Sequence, residues 1–326
     1  MDATWLSTFW ASIIALALLF YVILDGYDLG VGILFGATSD SAFRDTMMDS
    51  IAPFWDGNGV WLILVGAGLF AAFPVVYSIF LPAFYLPITI MLAGLIFRGV
   101  AFEFRYHAAS SKSLWETGFF LGSLVVTFVQ GVAIGRMIQG LPVINGQYAG
   151  GPFDWLTPFS VFCGMGLVLG YALLGSAWLI LRTQGQVQEW AYSRIRWILA
   201  GVVIILACAS SYILFTHPRI RDRWLKDIWL AVLPLMIILS CAGLLSGLKK
   251  RVDWAPYGMA IILFAASFLA LEASFWPYMI PFTVTIDDAA APAASLSFLF
   301  YGAGIVIFPI VLLYTAYVYS VFRGKV

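Results

Sequence analysis

Residues 52–74, APFWDGNGVWLILVGAGLFAAFP, combine a tryptophan-flanked aspartate with a long apolar run that ends at Pro74. A membrane-spanning α-helix needs about 20 mostly apolar residues, because each residue adds 1.5 Å to a hydrocarbon path of about 30 Å. The stretch meets that length, so it predicts a membrane span with a carboxylate, Asp56, near its start. A charge at membrane depth is costly, which makes Asp56 a candidate functional residue.

The composition of the whole chain agrees with a membrane protein. Of its 326 residues, 62% are hydrophobic and only 10% are charged, whereas soluble domains carry more charge. Acidic and basic residues balance, which gives no electrostatic attraction to nucleic acid. Cys163, Cys208 and Cys241 stand singly in apolar runs and predict neither a disulfide framework nor a metal site.

Nine segments of the chain are long and apolar enough to span a membrane. In lipid the backbone must satisfy its own hydrogen bonds, so each segment is predicted to be a helix. The segments are approximately 6–35, 53–72, 78–103, 117–139, 158–181, 196–215, 228–248, 256–275 and 297–321. We expect one all-α membrane domain over residues 1–326.

The distribution of Lys and Arg predicts the orientation of these spans. Most of the Lys and Arg residues fall in loops or helix ends on one side of the membrane, so the positive-inside rule places the N-terminus outside and the C-terminus inside. The N-terminus lacks the basic region of a signal peptide, so we expect the first apolar run to be retained. The segment THPRIRDRWLKD (216–227) is a basic exception, interpreted as an ordinary outer loop or as a docking surface.

Polar side chains gather at one end of the first three predicted spans. Asp25 and Asp28 lie three residues apart near the end of the first span, so they share a helix face. The second span begins and the third span ends with further polar residues: Asp56, Asn58, Arg98 and Glu103. Consecutive helices alternate in direction and usually neighbour one another, so all six side chains are predicted to meet near the inner face.

Two interpretations of this predicted cluster remain open. In the structural one, Arg98 pairs with an aspartate and holds the helices together. In the functional one, several carboxylates with one cation exchange protons near neutral pH. In that case Asp56 relays protons, which Asp25, Asp28 and Glu103 collect. Arg98 adjusts the pKa values of these carboxyl groups.

Other polar and aromatic residues in the spans carry weaker signals. Trp55 and Trp61 flank the aspartate and are expected to be interfacial anchors, with Trp55 also a candidate for structural pairing near the cluster. Gln130, Arg136 and Glu272 lie within predicted spans, and we expect structural roles for them.

The two histidines argue against a haem held by this chain. His107 and His217 follow the third and sixth spans, on opposite sides of the membrane, so they cannot ligate one haem. No metal site is predicted either. The alternative function is an ion-coupled secondary transporter that uses the same carboxylates. No inverted repeat is visible to favour it.

Several stretches resemble subunit II of the cytochrome bd-type quinol oxidases. They are LDGYDLGVGILF (24–35), SIAPFWDGNGVWLI (50–63) with GLFAAFPVVYS (68–78), FRGVAFEFR (97–105) and, more weakly, IVLLYTAYVY (310–319). The compact middle of the chain and endings such as FTVTIDDAAAPAAS (282–295) look closer to the cyanide-insensitive branch.

This resemblance implies an architecture and a complex. The nine helices are expected as two four-helix bundles plus one peripheral helix, in the bacterial cytoplasmic membrane. Subunit II itself would bind no haem and would pair with a subunit I carrying two b-type haems and one d-type haem. The complex would oxidise a quinol, either ubiquinol or menaquinol, and reduce oxygen to water in an electrogenic reaction. Some members add small single-helix accessory subunits or a structural quinone.

The resemblance also implies roles for individual residues. Subunit II supports subunit I and helps to bring protons from the cytoplasm toward the oxygen-reducing haem. The matching positions in this chain are Asp56 of WDGN, Asp25 and Asp28 of DGxDxGVG, Arg98 and Arg105 of FRxVxFxxR, and Glu103 at a position that is Asp or Glu in the family.

Overall fold

The structure is a computed structural model that describes residues 3–108 and 110–326. Residues 1, 2 and 109, on which the N-terminal interpretation and the 1–326 domain range partly rest, lie outside the described residues. The helices are α1 (Ala3–Phe35), α2 (Ser41–Ile51), α3 (Trp55–Ala72), α4 (Pro74–His107), α5 (Lys112–Gln139), α6 (Pro158–Arg182), α7 (Gly185–Thr216), α8 (Pro218–Lys226), α9 (Val232–Lys250), α10 (Trp254–Phe275), α11 (Ile286–Ala289), α12 (Ala293–Leu299) and α13 (Phe308–Val321). A 3₁₀ turn, Ile228–Ala231, precedes α9, and a π-helical segment, Phe300–Ile307, joins α12 to α13.

The few strands form two small hairpins in the loops. β1 (Val143–Ile144) pairs antiparallel with β2 (Gln147–Tyr148), and β3 (Tyr278–Ile280) pairs antiparallel with β4 (Val284–Thr285). Asn145 and Gly146 at the first turn both have positive φ, as a two-residue hairpin turn requires.

Within the described residues, nine helices are long and apolar enough to cross a membrane. They are α1, α3, α4, α5, α6, α7, α9 with its preceding turn, α10, and the continuous run from α12 to α13. The nine-helix prediction is therefore confirmed. α7 begins at Gly185, well before the predicted residue 196, because its amphipathic first turns continue the helix beyond the apolar run.

The spans form two four-helix bundles with one helix at the edge, as predicted. α1, α3, α4 and α5 pack together, α6, α7, α9 and α10 form the second group, and the last span lies outside both. The bundles join where α6 packs against α5 and against α1. The contact with α1 depends on two glycines, since a Cβ on Gly30 would lie 1.8 Å from the Tyr171 carbonyl oxygen and one on Gly175 would lie 2.5 Å from Gly30 C.

Two local features shape the first bundle. Pro82 and Pro87 lie inside α4, which bends at Phe84 because the ring of Pro87 obstructs the preceding turn. The short helix α2 between the first two spans begins at an N-cap, where Asp40 Oδ1 accepts from the amides of Ala42 and Phe43. Its buried residues, among them Met47 and Met48, pack against α1 and α6.

Candidate functional site

Four polar side chains from α1, α3 and α4 meet in the interior of the first bundle. Asp25, Asp28, Asn58 and Arg98 are 1%, 0%, 2% and 4% exposed, respectively. Arg98 Nη1 donates to Asp25 Oδ1 at 2.8 Å, and Arg98 Nη2 lies 3.9 Å from Asp28 Oδ2. Asn58 Nδ2 donates to Asp28 Oδ2 at 2.7 Å. We call these four residues the Arg98 cluster, and they include the contact of Arg98 with an aspartate on which the structural interpretation depends.

The charges and hydrogen bonds of the Arg98 cluster are not balanced. Two carboxyl groups face a single guanidinium, so one negative charge is left over if both are ionised. Among the described residues, Asp25 Oδ2, Asp28 Oδ1 and Arg98 Nε and Nη2 are buried and have no hydrogen-bond partner. Buried polar atoms are normally bonded, so this pattern is unusual. Chemically, an excess buried carboxyl group is a site that can bind and release a proton.

The predicted cluster is smaller in the structure, because Asp56 and Glu103 are exposed. A helix turns 100° per residue, so Asp56 and Asn58, two positions apart, face nearly opposite directions and only Asn58 points inward. Glu103 lies five positions after Arg98 on α4, which places it about 140° away around the helix. The prediction that all six side chains converge was therefore wrong for Asp56 and Glu103, which lie on the outer surface of α3 and α4.

The two tryptophans beside Asp56 also differ from each other. Trp55 is half-buried and its ring lies 4.9 Å from that of Phe102, so it packs α3 against α4. Trp61 is fully buried, stacked on Phe20 at 4.7 Å. The expectation of an interfacial anchor was wrong for Trp61, because its position places the indole on the α1-facing side of α3.

Two tyrosines extend the Arg98 cluster and were missed by the sequence analysis. Tyr27 Oη accepts from Asn58 Nδ2 at 3.0 Å, and Tyr319 Oη of α13 donates to Asn58 Oδ1 at 3.1 Å. The two phenol oxygens lie 2.6 Å apart. Tyr27 stands inside the DGYD motif, so a hydroxyl between two aspartates was a visible signal. Tyr319 had no local signal, because only the fold brings α13 to this place.

A second group of charges involves the other arginine of the FRGVAFEFR stretch. Arg105 Nη1 lies 2.6 Å from Asp45 Oδ1 of α2, and Arg105 Nη2 lies 2.9 Å from Glu116 Oε1 of α5. Glu116 also pairs with Arg44 at 2.6 Å, and Lys112 lies 3.7 Å from Asp45. We call these five residues the Arg105 network. It joins α2, α4 and α5 at the end of the bundle nearest the Arg98 cluster.

Gln130 links three helices, as its expected structural role requires. Its Nε2 donates to Tyr21 Oη of α1 at 2.5 Å, and its Oε1 accepts from Tyr171 Oη of α6 at 3.1 Å. Arg136 lies in the last turn of α5, where its Nε is buried without a partner among the described residues. Glu272 is exposed on α10, and its role stays a prediction.

The basic segment after α7 folds against the end of α10. Arg223 Nη1 donates to the carbonyl oxygen of Ala273 at 3.1 Å and to that of Trp276, so it caps the C-terminus of α10. Trp224 Nε1 donates to Ser274 Oγ at 3.0 Å. Part of this segment is therefore structural rather than a free docking surface.

The histidines lie at separate places in the fold. His107 is the last residue of α4, and His217 separates α7 from α8, where burial among aromatic rings lowers its pKa. Within the described ranges, no group of three or more His, Cys, Asp or Glu residues could hold a metal ion.

The fold and the Arg98 cluster together define a class: a helical, multi-pass membrane protein whose interior carries an ion pair with one carboxyl group in excess. The family model described as cytochrome bd terminal oxidase subunit II matches residues 6–322. The chain therefore belongs to that family.

Individual relatives agree with this assignment. Cytochrome bd-I ubiquinol oxidase subunit 2 of Escherichia coli (strain K12) is 28% identical over 360 residues, covering 97% of this chain and 94% of the relative. Cytochrome bd ubiquinol oxidase subunit 2 of Bacillus subtilis (strain 168) is 28% identical over 331 residues, covering 97% and 96%. The bd oxidase structure from Geobacillus thermodenitrificans shares the fold, with a TM-score of 0.79 at 18% identity over 98% of both chains.

Family membership establishes the membrane and the complex to which this protein belongs. It is a multi-pass protein of the bacterial inner membrane and a subunit of a cytochrome bd oxidase, a haem-dependent oxidoreductase complex of respiration. Its partner in that complex is subunit 1. The comparisons give no support to the transporter alternative.

Proposed function

We propose that this chain is the haem-free subunit II that stabilises subunit I and carries protons from the cytoplasmic side toward the oxygen-reducing haem. Reduction of O₂ to water consumes protons, so the complex needs a proton supply through the membrane region. The excess carboxyl group of the Arg98 cluster is the observation that supports this role, since it gives a buried proton-binding site within the first bundle.

The exposed carboxylates suggest how protons pass between the buried Arg98 cluster and subunit I. Asp56 and Glu103 lie on a surface of α3 and α4 whose other exposed side chains are apolar, among them Ile63, Ile96 and Phe97. Charges on an apolar membrane face are costly against lipid, so protein is the better neighbour for this surface. In the proposal, Asp25 and Asp28 hold the proton, and Asp56 and Glu103 receive or pass it at the boundary with subunit I.

The proposed orientation has the N-terminus outside and the C-terminus inside. Basic side chains gather at one end of the bundles: the three cations of the Arg105 network, Arg182 at the end of α6, and Lys249 and Lys250 at the end of α9. The Arg98 cluster is nearest to that same end. The positive-inside rule makes this the cytoplasmic end, which is the side that supplies protons.

The remaining details of the complex follow the family resemblance. We infer two b-type haems and one d-type haem in subunit I, electrogenic oxidation of ubiquinol or menaquinol, and assembly as a heterodimer with room for small single-helix subunits. The two relatives named above are ubiquinol oxidase subunits. A structural quinone and membership in the cyanide-insensitive branch stay predictions.

An Asp56→Asn variant tests the boundary role. The side chain is exposed and the amide is nearly isosteric, so assembly and the haem spectrum should stay intact, whereas quinol oxidase turnover per haem should fall about tenfold. Asp222→Asn on α8 is the matched control, since it also removes an exposed carboxylate but at the opposite end. Full turnover in Asp56→Asn contradicts the boundary role, and joint loss of spectrum and turnover assigns the residue to assembly.

The transporter alternative predicts a different purified species. Isolation of the chain from its native membrane in mild detergent should yield a coloured complex with the absorption of a d-type haem. A colourless chain that is stable alone would favour the transporter and contradict the proposed function.

A further inference from the structure

A closed ring of hydrogen bonds lies beside Asp28 and has no place in the proposed proton route. Its members are the phenol of Tyr27 on α1, the amide of Asn58 on α3 and the phenol of Tyr319 on α13. Tyr27 and Asn58 are buried, and Tyr319 is half-buried. Three helices that are far apart in the sequence therefore meet at one small polar group.

The neighbours of the Asn58 amide fix its orientation. Three acceptors surround its nitrogen: Leu24 O at 3.2 Å, Tyr27 Oη at 3.0 Å and Asp28 Oδ2 at 2.7 Å. The hydroxyl of Tyr319 approaches its oxygen at 3.1 Å. A flipped amide would turn its oxygen toward the Leu24 carbonyl and, when Asp28 is ionised, toward a carboxylate. Neither group offers a hydrogen in that state, so the flip is disfavoured.

Counting hydrogens then assigns every donor in the ring. Tyr319 gives its hydrogen to Asn58 Oδ1, so in the 2.6 Å contact between the phenols Tyr27 must be the donor. The Asn58 nitrogen has two hydrogens for its three acceptors. One is directed at Asp28 Oδ2, the shortest contact, and the other is shared by Tyr27 Oη and Leu24 O, which closes the ring.

The two oxygens of the Asp28 carboxyl group are therefore not equivalent. Oδ2 accepts from Asn58 and lies 3.9 Å from Arg98 Nη2, so it is held as an acceptor. Oδ1 is buried and has no hydrogen-bond partner among the described residues. A proton added to this carboxyl group at Oδ1 leaves Oδ2 as a carbonyl-type acceptor for Asn58, whereas a proton at Oδ2 turns that oxygen into a hydroxyl, which is a poorer acceptor and weakens the bond.

We propose that Tyr27 and Tyr319 are positioning residues that lock the Asn58 amide, so that Asp28 exchanges its proton at Oδ1 in preference to Oδ2. The peripheral last span thereby controls the protonation site of the first bundle through one hydroxyl group. This inference rests on the proposed function for its purpose, but the geometry of Asp28 can be measured without turnover.

The pH response of Asp28 reflects every charged or titratable group around it. Those groups come from four helices: Asp25 and Tyr27 of α1, Arg98 of α4, Tyr257 of α10 and Tyr319 of α13. Removing a hydroxyl from the ring keeps all of the formal charges at neutral pH. Any change in the titration of Asp28 in such a variant then reports the lost positioning.

The test uses infrared difference spectra of the purified oxidase as a function of pH. The Asp28 carboxyl band is the one that disappears in Asp28→Asn. Tyr319→Phe and Tyr27→Phe each remove one hydroxyl group and keep the aromatic side chain. The aromatic ring at position 27, which lies 3.9 Å from that of Trp178, can therefore stay stacked on it. Both variants should shift the band and move its titration midpoint by about half a pH unit. Tyr317→Phe, whose side chain is 65% exposed on the same helix as Tyr319, is the control and should match the parent.

The outcomes separate this inference from the proposed function. If the Asp28 band in both Tyr→Phe variants coincides with that of the parent, the positioning role is overturned. It is also overturned if the Asp28→Asn spectrum keeps every carboxyl band of the parent. If Tyr319→Phe fails to assemble, Tyr27→Phe alone decides. A shifted band with an unchanged pH profile of turnover supports positioning and contradicts proton uptake through Asp28.

Discussion

Arg98 and Arg105 lie two turns apart on the same face of α4, yet their surroundings differ. Arg105 bonds to two carboxylates, one of them half-exposed, and these carboxylates contact further cations. Arg98 has one short bond to Asp25, a long contact to Asp28 and two buried nitrogens without partners among the described residues. Saturated ion pairs hold helices together, whereas an unsaturated buried group can change its protonation state. Under the proposed function, this difference separates a structural Arg105 network from an Arg98 cluster that carries protons.

Removal of Arg98 should have the largest effect on stability. Arg98→Ala leaves two buried carboxyl groups without their cation, which costs about 3–5 kcal/mol. We expect little assembled oxidase and a lower melting temperature of what remains, measured by the yield of haem-containing complex and by its thermal unfolding. Arg98→Lys keeps the charge and should recover much of the yield. Equal yields of parent and Arg98→Ala would show that the cluster does not need its cation.

Removal of Arg105 should destabilise less. After Arg105→Ala, water can solvate Asp45, which is 47% exposed, and Glu116, which is 13% exposed, keeps its pair with Arg44. We expect the free energy of unfolding of the complex to fall by about 2–3 kcal/mol, measured by thermal unfolding. The exposed pair with Asp45 contributes little to this value, and the burial of Arg105 against Glu116 contributes more. Turnover per assembled complex should equal that of the parent. A fall in that turnover would contradict the purely structural role of the network.

Truncation of Asn58 should have the smallest effect on stability. Asn58→Ala removes the hydrogen bond to Asp28 and opens the tyrosine ring, at a cost of about 1–2 kcal/mol. Thermal unfolding of the complex measures this loss. A matched Gln186→Ala change at an exposed position in the first turn of α7 controls for loss of an amide elsewhere. An Asn58→Ala complex as stable as the parent would show that the amide makes no net contribution.

The sequence predicts the architecture well because hydrophobic length is a local property. All nine spans follow from apolar runs, and the shared face of Asp25 and Asp28 follows from their spacing. The error over Asp56 was avoidable in principle, since two residues that lie two positions apart on a helix cannot both face the interior. The first-turn position of Asp56 suggested convergence, but rotation about the helix axis decides which side chain is buried.

Other features of the site depend on packing that no local pattern reports. Tyr319 lies in an aromatic, apolar stretch near the end of the chain, and only the docking of α13 brings it to Asn58. The Arg105 network needs α2, whose short amphipathic sequence lies between two much stronger hydrophobic signals. These contacts join residues that are distant in the sequence, and a single sequence does not encode such distances directly.

The most direct test of the contrast between the two arginines compares one carboxylate from each group. Quinol oxidase turnover per assembled haem complex is measured for Asp28→Asn of the Arg98 cluster and for Glu116→Gln of the Arg105 network. We predict that Asp28→Asn lowers this turnover about tenfold or more, whereas Glu116→Gln lowers the amount of complex and leaves turnover per complex unchanged. Full turnover per complex in Asp28→Asn would contradict the claim that the Arg98 cluster carries protons.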